Sequence, residues 1–407
     1  MKVSSWARIP GPLDRYLRGF GEELARLGYA PRGVQWQLQL AGHLNAWLAE
    51  AGRGSADLDA ATAEEFLAAR RALGYVHFLS AKALKPLLEY LRQAGAAPLP
   101  VTVAAVTPAD ALLERFRSYL TSERGLTAGT AWNYVHLVRP FVAGRQGADG
   151  VDLAALTAGE VAEFVVAESR VRPAKGTQHL VSALRSLLGF AHVNGLIGVS
   201  LAEAVPSVAS WRLAGLPRFL EPGQAGALLA SCDTGTVNGR RDLAILTVLV
   251  RLGLRSGEVA GLALEDIDWR AGEIGIRGKG GRIEKLPLPA DAGETLAAYL
   301  RDGRPPAALD RSVFIRVKAP HRGLTSTGIT QAVAAASKRA GLGTIYAHRL
   351  RHTAATGMLR AGASLAEVGQ VLRHRHPDTT AIYAKVDTEA LRALARPWPV
   401  TGPGGAR

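Results

Sequence analysis

At 407 residues and 48% apolar composition, the chain can bury two or three separate cores and is not disordered, while its longest apolar run, Leu243 to Val250, is too short to cross a bilayer. The N-terminus, Met-Lys-Val-Ser-Ser-Trp-Ala-Arg, has no apolar signal core, and the one cysteine, Cys232, excludes a disulfide framework or a Cys-based metal cluster, so a cytoplasmic protein with no membrane partner is expected. The net charge of +14 sits mainly in residues 301–407, with 17 Lys+Arg against 6 Asp+Glu, whereas residues 101–300 carry 20 of each; a basic excess suits a solvated surface as well as nucleic acid, and what it coincides with decides.

In chain order, helical spacing of apolar residues predicts helices over Leu13–Leu27, Val34–Ala51, Ala63–Ala72 and Ser80–Ala94. The Pro- and Ala-rich stretch Ala94–Pro108 reads as a linker, residues 109–196 as a second helical domain, and Val205–Pro217 as another linker. Leu58 to Phe66 parallels Leu153 to Val161 at an offset of 95, and each holds a Thr-x-x-Glu capping box, Thr62 with Glu65 and Thr157 with Glu160. Two explanations stand: the N-terminal domain, 1–100, duplicates the domain at 109–196, or two unrelated bundles share common cap chemistry.

From Pro217 the texture changes. Helices are predicted over Gln224–Ser231 and Arg241–Leu252, then a β-hairpin of Glu273–Arg277 and Arg282–Leu288 around Gly278-Lys279-Gly280-Gly281. Further helices follow at Thr327–Ala340, His348–Ala361 and Leu365–Leu372, the last capped by Ser364 with Glu367. The fold class is therefore mainly α with a small antiparallel β-sheet: helical N-terminal domains, then a mixed α+β domain at 217–396 and a flexible tail at 397–407. Trp211 and Trp269 are expected in the core.

The basic C-terminal region carries the chemistry. Arg255 stands in Gly-Leu-Arg-Ser-Gly-Glu, His348 and Arg351 in His-Arg-Leu-Arg-His-Thr, and Tyr383 nine residues after His374. Cleaving a phosphodiester places charge on the non-bridging oxygens and on the leaving oxygen. Guanidinium forks suit the former, because they bind two oxygens at once and stay charged. Arg255 and Arg351 are the candidates, with His348 on the same helical face as Arg351 and His374 a third donor. Tyr383 supplies a phenol able to become a covalent nucleophile, activated by the positive field or by a base, for which His348 is placed. Lys279, between glycines at a hairpin tip, can protonate the leaving 5′ oxygen. Glu258 reads as a support for an arginine or histidine, and His352 and His376 as ordinary core or surface histidines or secondary phosphate contacts. The arginines would repel a metal ion at a histidine cluster, and no complete phosphate-loop spacing is present, so neither metal nor cofactor is called for.

This set resembles the tyrosine recombinase (phage integrase) family, most nearly its Xer-like branch. That family has an arginine in Gly-Leu-Arg-x-x-Glu, a hairpin lysine, His-x-x-Arg, a second His or Trp, and a tyrosine nine residues later. The resemblance covers about residues 110–395 and implies Arg255, Lys279, His348, Arg351, His374 and Tyr383 as catalytic residues, with Glu258 supporting. One departure is Leu372-Arg373-His374, where the family usually has Leu-Gly-His; a bulky basic residue there can alter the backbone. The resemblance further implies a core-binding SAM-like domain (109–196) and a catalytic domain (217–396) clamping duplex DNA with inverted core sites. It implies a 3′-phosphotyrosyl intermediate and a Holliday junction within a homotetramer, or a hetero-assembly with related recombinases. The C-terminal helix, Asp387–Arg396 with Leu391 and Leu394, would dock on a neighbour.

Residues 1–100 exceed a minimal Xer-like protein, favouring a mobile-element integrase or transposase-type recombinase over a Xer-type dimer resolvase. A type IB topoisomerase would use similar chemistry without a partner. A non-catalytic DNA-binding regulator would explain Ser364 to Tyr383 as helix-turn-helix but not the ordered Arg255, Lys279, His348, Arg351.

Overall fold

A computed structural model describes residues 10–99, 107–147, 150–209, 217–278, 282–306, 308–374, 376, 378–386 and 392. Four helices open the chain: α1 (Asp14–Arg26), α2 (Pro31–Glu50), α3 (Ala60–Ala72) and α4 (Ala81–Gln93). They bury Phe20, Leu24, Leu44, Leu48, Phe66, Leu87 and Leu91 in one core. Buried Asn45 accepts from the Leu13 backbone N–H at 2.7 Å and donates to Asp14 at 2.8 Å, tying α2 to the start of α1.

The capping box expected of Thr62 and Glu65 is not there. α3 starts a turn earlier, at Ala60, because Asp59 takes the N-cap and its carboxylate accepts from the Thr62 N–H. Asp and Thr are both good caps, and the earlier one lengthens the helix by a turn.

The next four helices are α5 (Pro108–Ser122), α6 (Ala128–Ala143), α7 (Ala158–Val171) and α8 (Ala174–Val193). They enclose their own core of Leu113, Phe116, Phe141, Leu184, Leu187 and Phe190. Here the expected box is present: Thr157 and Glu160 cap α7 reciprocally. A short ladder not predicted from sequence, β1 (Gln146–Gly147) with β2 (Gly150–Val151), joins α6 to α7. In both groups the main pairings are first helix with second, second with fourth, third with fourth and first with fourth.

The remainder is mixed. Helices α9 (Pro222–Ala230), α10 (Val237–Leu252) and α11 (Ser256–Ala260) precede an antiparallel sheet of β3 (Ile267–Asp268), β4 (Glu273–Arg277) and β5 (Ile283–Pro287), in that order. Ile274 pairs with Leu286, and both turn into a core shared with Leu246, Leu249, Leu296 and Phe314. α12 (Ala290–Asp302), α13 (Ser326–Arg339), α14 (Ala347–Arg360) and α15 (Leu365–Val371) follow, then α16 (Asp378–Ala381) and a 3-10 turn over Ile382–Val386. Ser364 and Glu367 cap α15 as expected. Trp269 does not join the core: it is 50% exposed in the turn between β3 and β4, where the side chain faces solvent. Trp211, the hairpin tip 279–281 and most of the expected C-terminal helix lie outside the described residues.

The described residues fall into two compact units, drawn from 1–99 with 215–407 and from 100–214. Within the first, the N-terminal helices meet the loop before α13 through His321 N–H to Leu27 O at 3.1 Å and Arg322 to Glu89 at 3.5 Å. No helix among the described residues is long and apolar enough to cross a membrane.

Candidate active site

The site begins where α10 ends. Gly253 closes that helix at φ +59°, and a Cβ there would stand 2.6 Å from Leu372 and 3.2 Å from Ala354. Both the backbone conformation and the close approach of α14 and α15 demand glycine. Two residues on, Arg255 caps α11, and Glu258 answers it: its carboxylate accepts from the Arg255 N–H at 2.8 Å and from its Nη1 at 2.7 Å. Burial pushes the Glu258 carboxyl up, but the Arg255 N–H and the charges of Arg373 and Arg255 outweigh it and hold it below its ordinary value. Glu258 is thus an ionised carboxylate, its side chain buried between Arg255 and Arg373.

Arg351 arrives from α14, 2% exposed. Its Nη1 donates to Gly253 O at 2.6 Å and its Nη2 to Leu372 O, so the guanidinium joins the end of α10 to the end of α15. Burial, then the nearby Arg255, lowers its pKa to about 10, which leaves it charged at neutral pH. At the start of the same helix, one turn before Arg351, His348 is exposed, and its ring meets His352 edge-on at 4.4 Å.

Tyr383 is 2% exposed, packed with Ala355, Val368 and Leu372. Its hydroxyl lies 2.9 Å from His352 Nδ1. Burial raises the phenol's pKa in spite of Arg351 and Arg255, so the positive field does not by itself activate it. The ring of His374 lies nearly parallel to that of Tyr383, 6.4 Å away, and His374 Nδ1 is 2.7 Å from Thr380 Oγ1. Burial first, then neighbouring charge, drives both His352 and His374 down to about 4, so both are neutral at physiological pH.

Arg255, Glu258 and His374 line an open cleft of about 1350 Å³ with Arg277, Arg282 and Arg373. Arg351 and Tyr383 do not line the cleft; Tyr383 is linked to it through its ring neighbour His374. Lys279 lies outside the described residues, although Gly278 and Arg282, on either side of 279–281, border the cleft. Two residues make contacts that their spacing did not predict. His352, by its spacing an ordinary histidine or a secondary phosphate contact, holds the Tyr383 hydroxyl at the place expected of His348. Arg373, noted only as a departure, is an ion-pair partner of Glu258 at 2.7 Å. Adjacency hints at the first, since His352 follows Arg351 directly; nothing local signals the second.

Residues 218–390 match the model of the phage integrase family, and residues 113–195 match that of the phage integrase N-terminal SAM-like domain. The chain is 42% identical to y4rA of Sinorhizobium fredii, an integrase/recombinase by its name, over 96% of this chain and 95% of that one. It is 33% identical to tyrosine recombinase XerD of Mycobacterium tuberculosis, over 69% of this chain and 95% of the relative. Among solved structures, XerH site-specific recombinase bound to a palindromic difH substrate is similar in fold at TM-score 0.55 and 18% identity, over 96% of this chain and 98% of that one. A lambda integrase tetramer bound to a Holliday junction is similar at TM-score 0.53 and 18% identity, over 78% and 88%.

Proposed function

The chain belongs to the phage integrase family of tyrosine recombinases, enzymes that cut and rejoin DNA through a tyrosine, and we propose that Tyr383 is its nucleophile. The observation that carries this is the Tyr383 hydroxyl held 2.9 Å from a neutral His352 beside a cleft of four arginines. In the forward step, Tyr383 Oη attacks the scissile phosphorus, the bond from phosphorus to the 5′ oxygen breaks, and a 3′-phosphotyrosyl ester forms. The phenolic proton passes to His352 Nδ1, with that ring protonated on Nε2 beforehand. Lys279 gives a proton to the departing 5′ oxygen. Arg255, His348, His374 and buried Arg351 stabilise charge growing on the non-bridging oxygens. Attack by a 5′-hydroxyl of a partner strand reverses each step and exchanges strands. No step calls for a metal.

By this reading the substrate is duplex DNA with paired core sites, recombined by a tetramer assembled through residues 387–396. The helices α5–α8 form the core-binding part and residues 217–396 the catalytic part. Action on the cell's DNA places the enzyme in the cytoplasm. The match to y4rA, an integrase/recombinase by its name, runs along nearly the whole chain, N-terminal helices included, and supports the integrase reading.

The test uses a nicked duplex carrying a core site selected from a random-sequence pool. Wild type should form a covalent adduct in EDTA, and Tyr383→Phe should bind equally well yet form none, since only the nucleophilic oxygen is lost. An adduct from Tyr383→Phe refutes the assignment. Lys279→Ala should cleave ordinary DNA about 10²–10⁴-fold slowly and recover on a substrate with sulfur at the bridging 5′ position, whose leaving group needs no proton. Equal defects on both substrates would move the acid elsewhere, Lys285 first, although that residue pairs with Glu273 at 2.9 Å.

A further inference from the structure

Arg373 occupies a backbone position that disfavours it. Its φ is +54°, and the only other non-glycine residue with positive φ among those described is Phe78. Its N–H bonds to Gln370 O at 2.9 Å, and the next N–H, of His374, bonds to Gly369 O at 3.0 Å. This pair of reversed bonds closes α15, and the motif favours glycine at the residue Arg373 fills. The side chain has a use that glycine could not serve. It is 4% exposed, its Nη2 meets Glu258 at 2.7 Å, and its Nη1 meets Val371 O at 2.9 Å.

Glu258 is therefore shared. One oxygen takes the Arg255 guanidinium; the other takes both the Arg255 N–H and Arg373. The charges form a chain, Arg255–Glu258–Arg373, running from the start of α11 to the end of α15. Its two ends abut residues with assigned roles: Arg255, whose fork faces the cleft, and His374, the residue after Arg373.

We propose that Arg373 is a positioning residue for DNA cleavage: by gripping Glu258 across the two helices it holds Arg255 and His374 at one spacing around the scissile phosphate. The inference rests on the reading of Tyr383 as nucleophile. Arg373 contacts no reacting atom and acts through Glu258 and the backbone of His374. A glycine would relieve the backbone and still lose the grip, so ease of folding and speed of cleavage are set against each other at this one position.

The experiment measures single-turnover adduct formation and duplex affinity for full-length Arg373→Gly, Arg373→Lys and Arg373→Met. The expected order of rates is wild type, then Lys, then Gly, with duplex affinity unchanged; Gly should be slower by about 10²-fold, as for a misplaced catalytic group. In a Glu258→Gln background, Arg373→Gly should add little further loss, because the two residues act as one unit. A glycine variant as fast as wild type, losses that multiply in the Glu258→Gln background, or rate and affinity falling together would each overturn the proposal. Should the glycine variant not fold, Met keeps the length and backbone demand without the charge; Lys faster than Met supports the proposal, and equal rates overturn it. Failure of the underlying reading looks different: wild type itself would then form no adduct.

Discussion

Arg255 and Arg351 bring the same guanidinium to one site in opposite surroundings. Arg255 keeps 47% of its side chain exposed and is held from below by Glu258, leaving part of its fork to the cleft. Arg351 is buried, and two of its nitrogens are spent on the carbonyls of Gly253 and Leu372. Losing the open arginine still leaves Glu258 its bonds to the residue-255 N–H and to Arg373. The buried one joins three helices and the charge at once, so its loss removes structure as well as catalysis.

That contrast sets the largest expected effect. Arg351→Ala should leave two buried carbonyls without partners, at about 1–3 kcal/mol each, lowering the melting temperature as it abolishes cleavage. Arg351→Lys should not rescue it, because one ammonium cannot reproduce the planar fork. Arg255→Ala should melt well above Arg351→Ala, since Glu258 keeps Arg373 and the backbone N–H, while cleaving about 10²–10³-fold slowly, the usual loss for one charge-stabilising donor. Thermal melts beside adduct kinetics check both; equal melting of the two variants would erase the distinction.

A second prediction sharpens the buried side by pH. His352 and His374 titrate near 4 in the folded protein and near the reference value of about 6.5 when unfolded. Between those values the unfolded chain binds more protons, so stability falls as pH drops from 6.5 towards 4 and is fully present above 6.5. Melting temperature measured from pH 7.5 to 4.5 should decline, and His374→Asn should flatten part of that decline. With His352 proposed as acceptor of the Tyr383 proton, cleavage should hold to about pH 5 and fail below it, while His352→Ala should be slow at every pH by about 10²–10⁴-fold. An acid limb near 6.5 would move the acceptor role away from His352.

The open side was legible in the sequence and the buried side only in part, for a physical reason. Glu258 supports Arg255 across three residues, a cap geometry that local spacing encodes, and the hairpin and the α15 cap are local in the same way. The Tyr383–His352 contact spans 31 residues, and Arg373–Glu258 spans 115. Neither pairing follows from periodicity, since the first needs the turn at Ile382–Val386 to pack on α14 and the second needs the end of α15 to meet α11. Even local rules misled where two good caps compete, as Asp59 did with Thr62, and where an aromatic residue sits in a tight turn, as Trp269 does. The left-handed Arg373 is the instructive case: the departure from glycine was visible in the sequence, and its compensation was not.

The smallest effect is expected at the N-terminal helices, where the same contrast holds on the scale of a domain. Their core is their own, and the residues joining them to the loop before α13 are largely exposed: Arg322 with Glu89, and the His321 bond to Leu27. An exposed ion pair contributes about 0–1 kcal/mol, so this junction resembles Arg255 more than Arg351. Deleting residues 1–95 should therefore leave the melting temperature of the remainder and its cleavage of a single core site nearly unchanged. What should suffer is binding to a full recombination site, because α1–α4 repeat the helix pairings of α5–α8 and offer a second helical surface to DNA or to a neighbouring copy. Cleavage of a single core site and recombination between full sites, measured side by side, separate the two. If the truncated protein recombines full sites as well as the intact chain, α1–α4 add nothing to assembly; if it loses core-site cleavage as well, their junction with the catalytic part is structural after all.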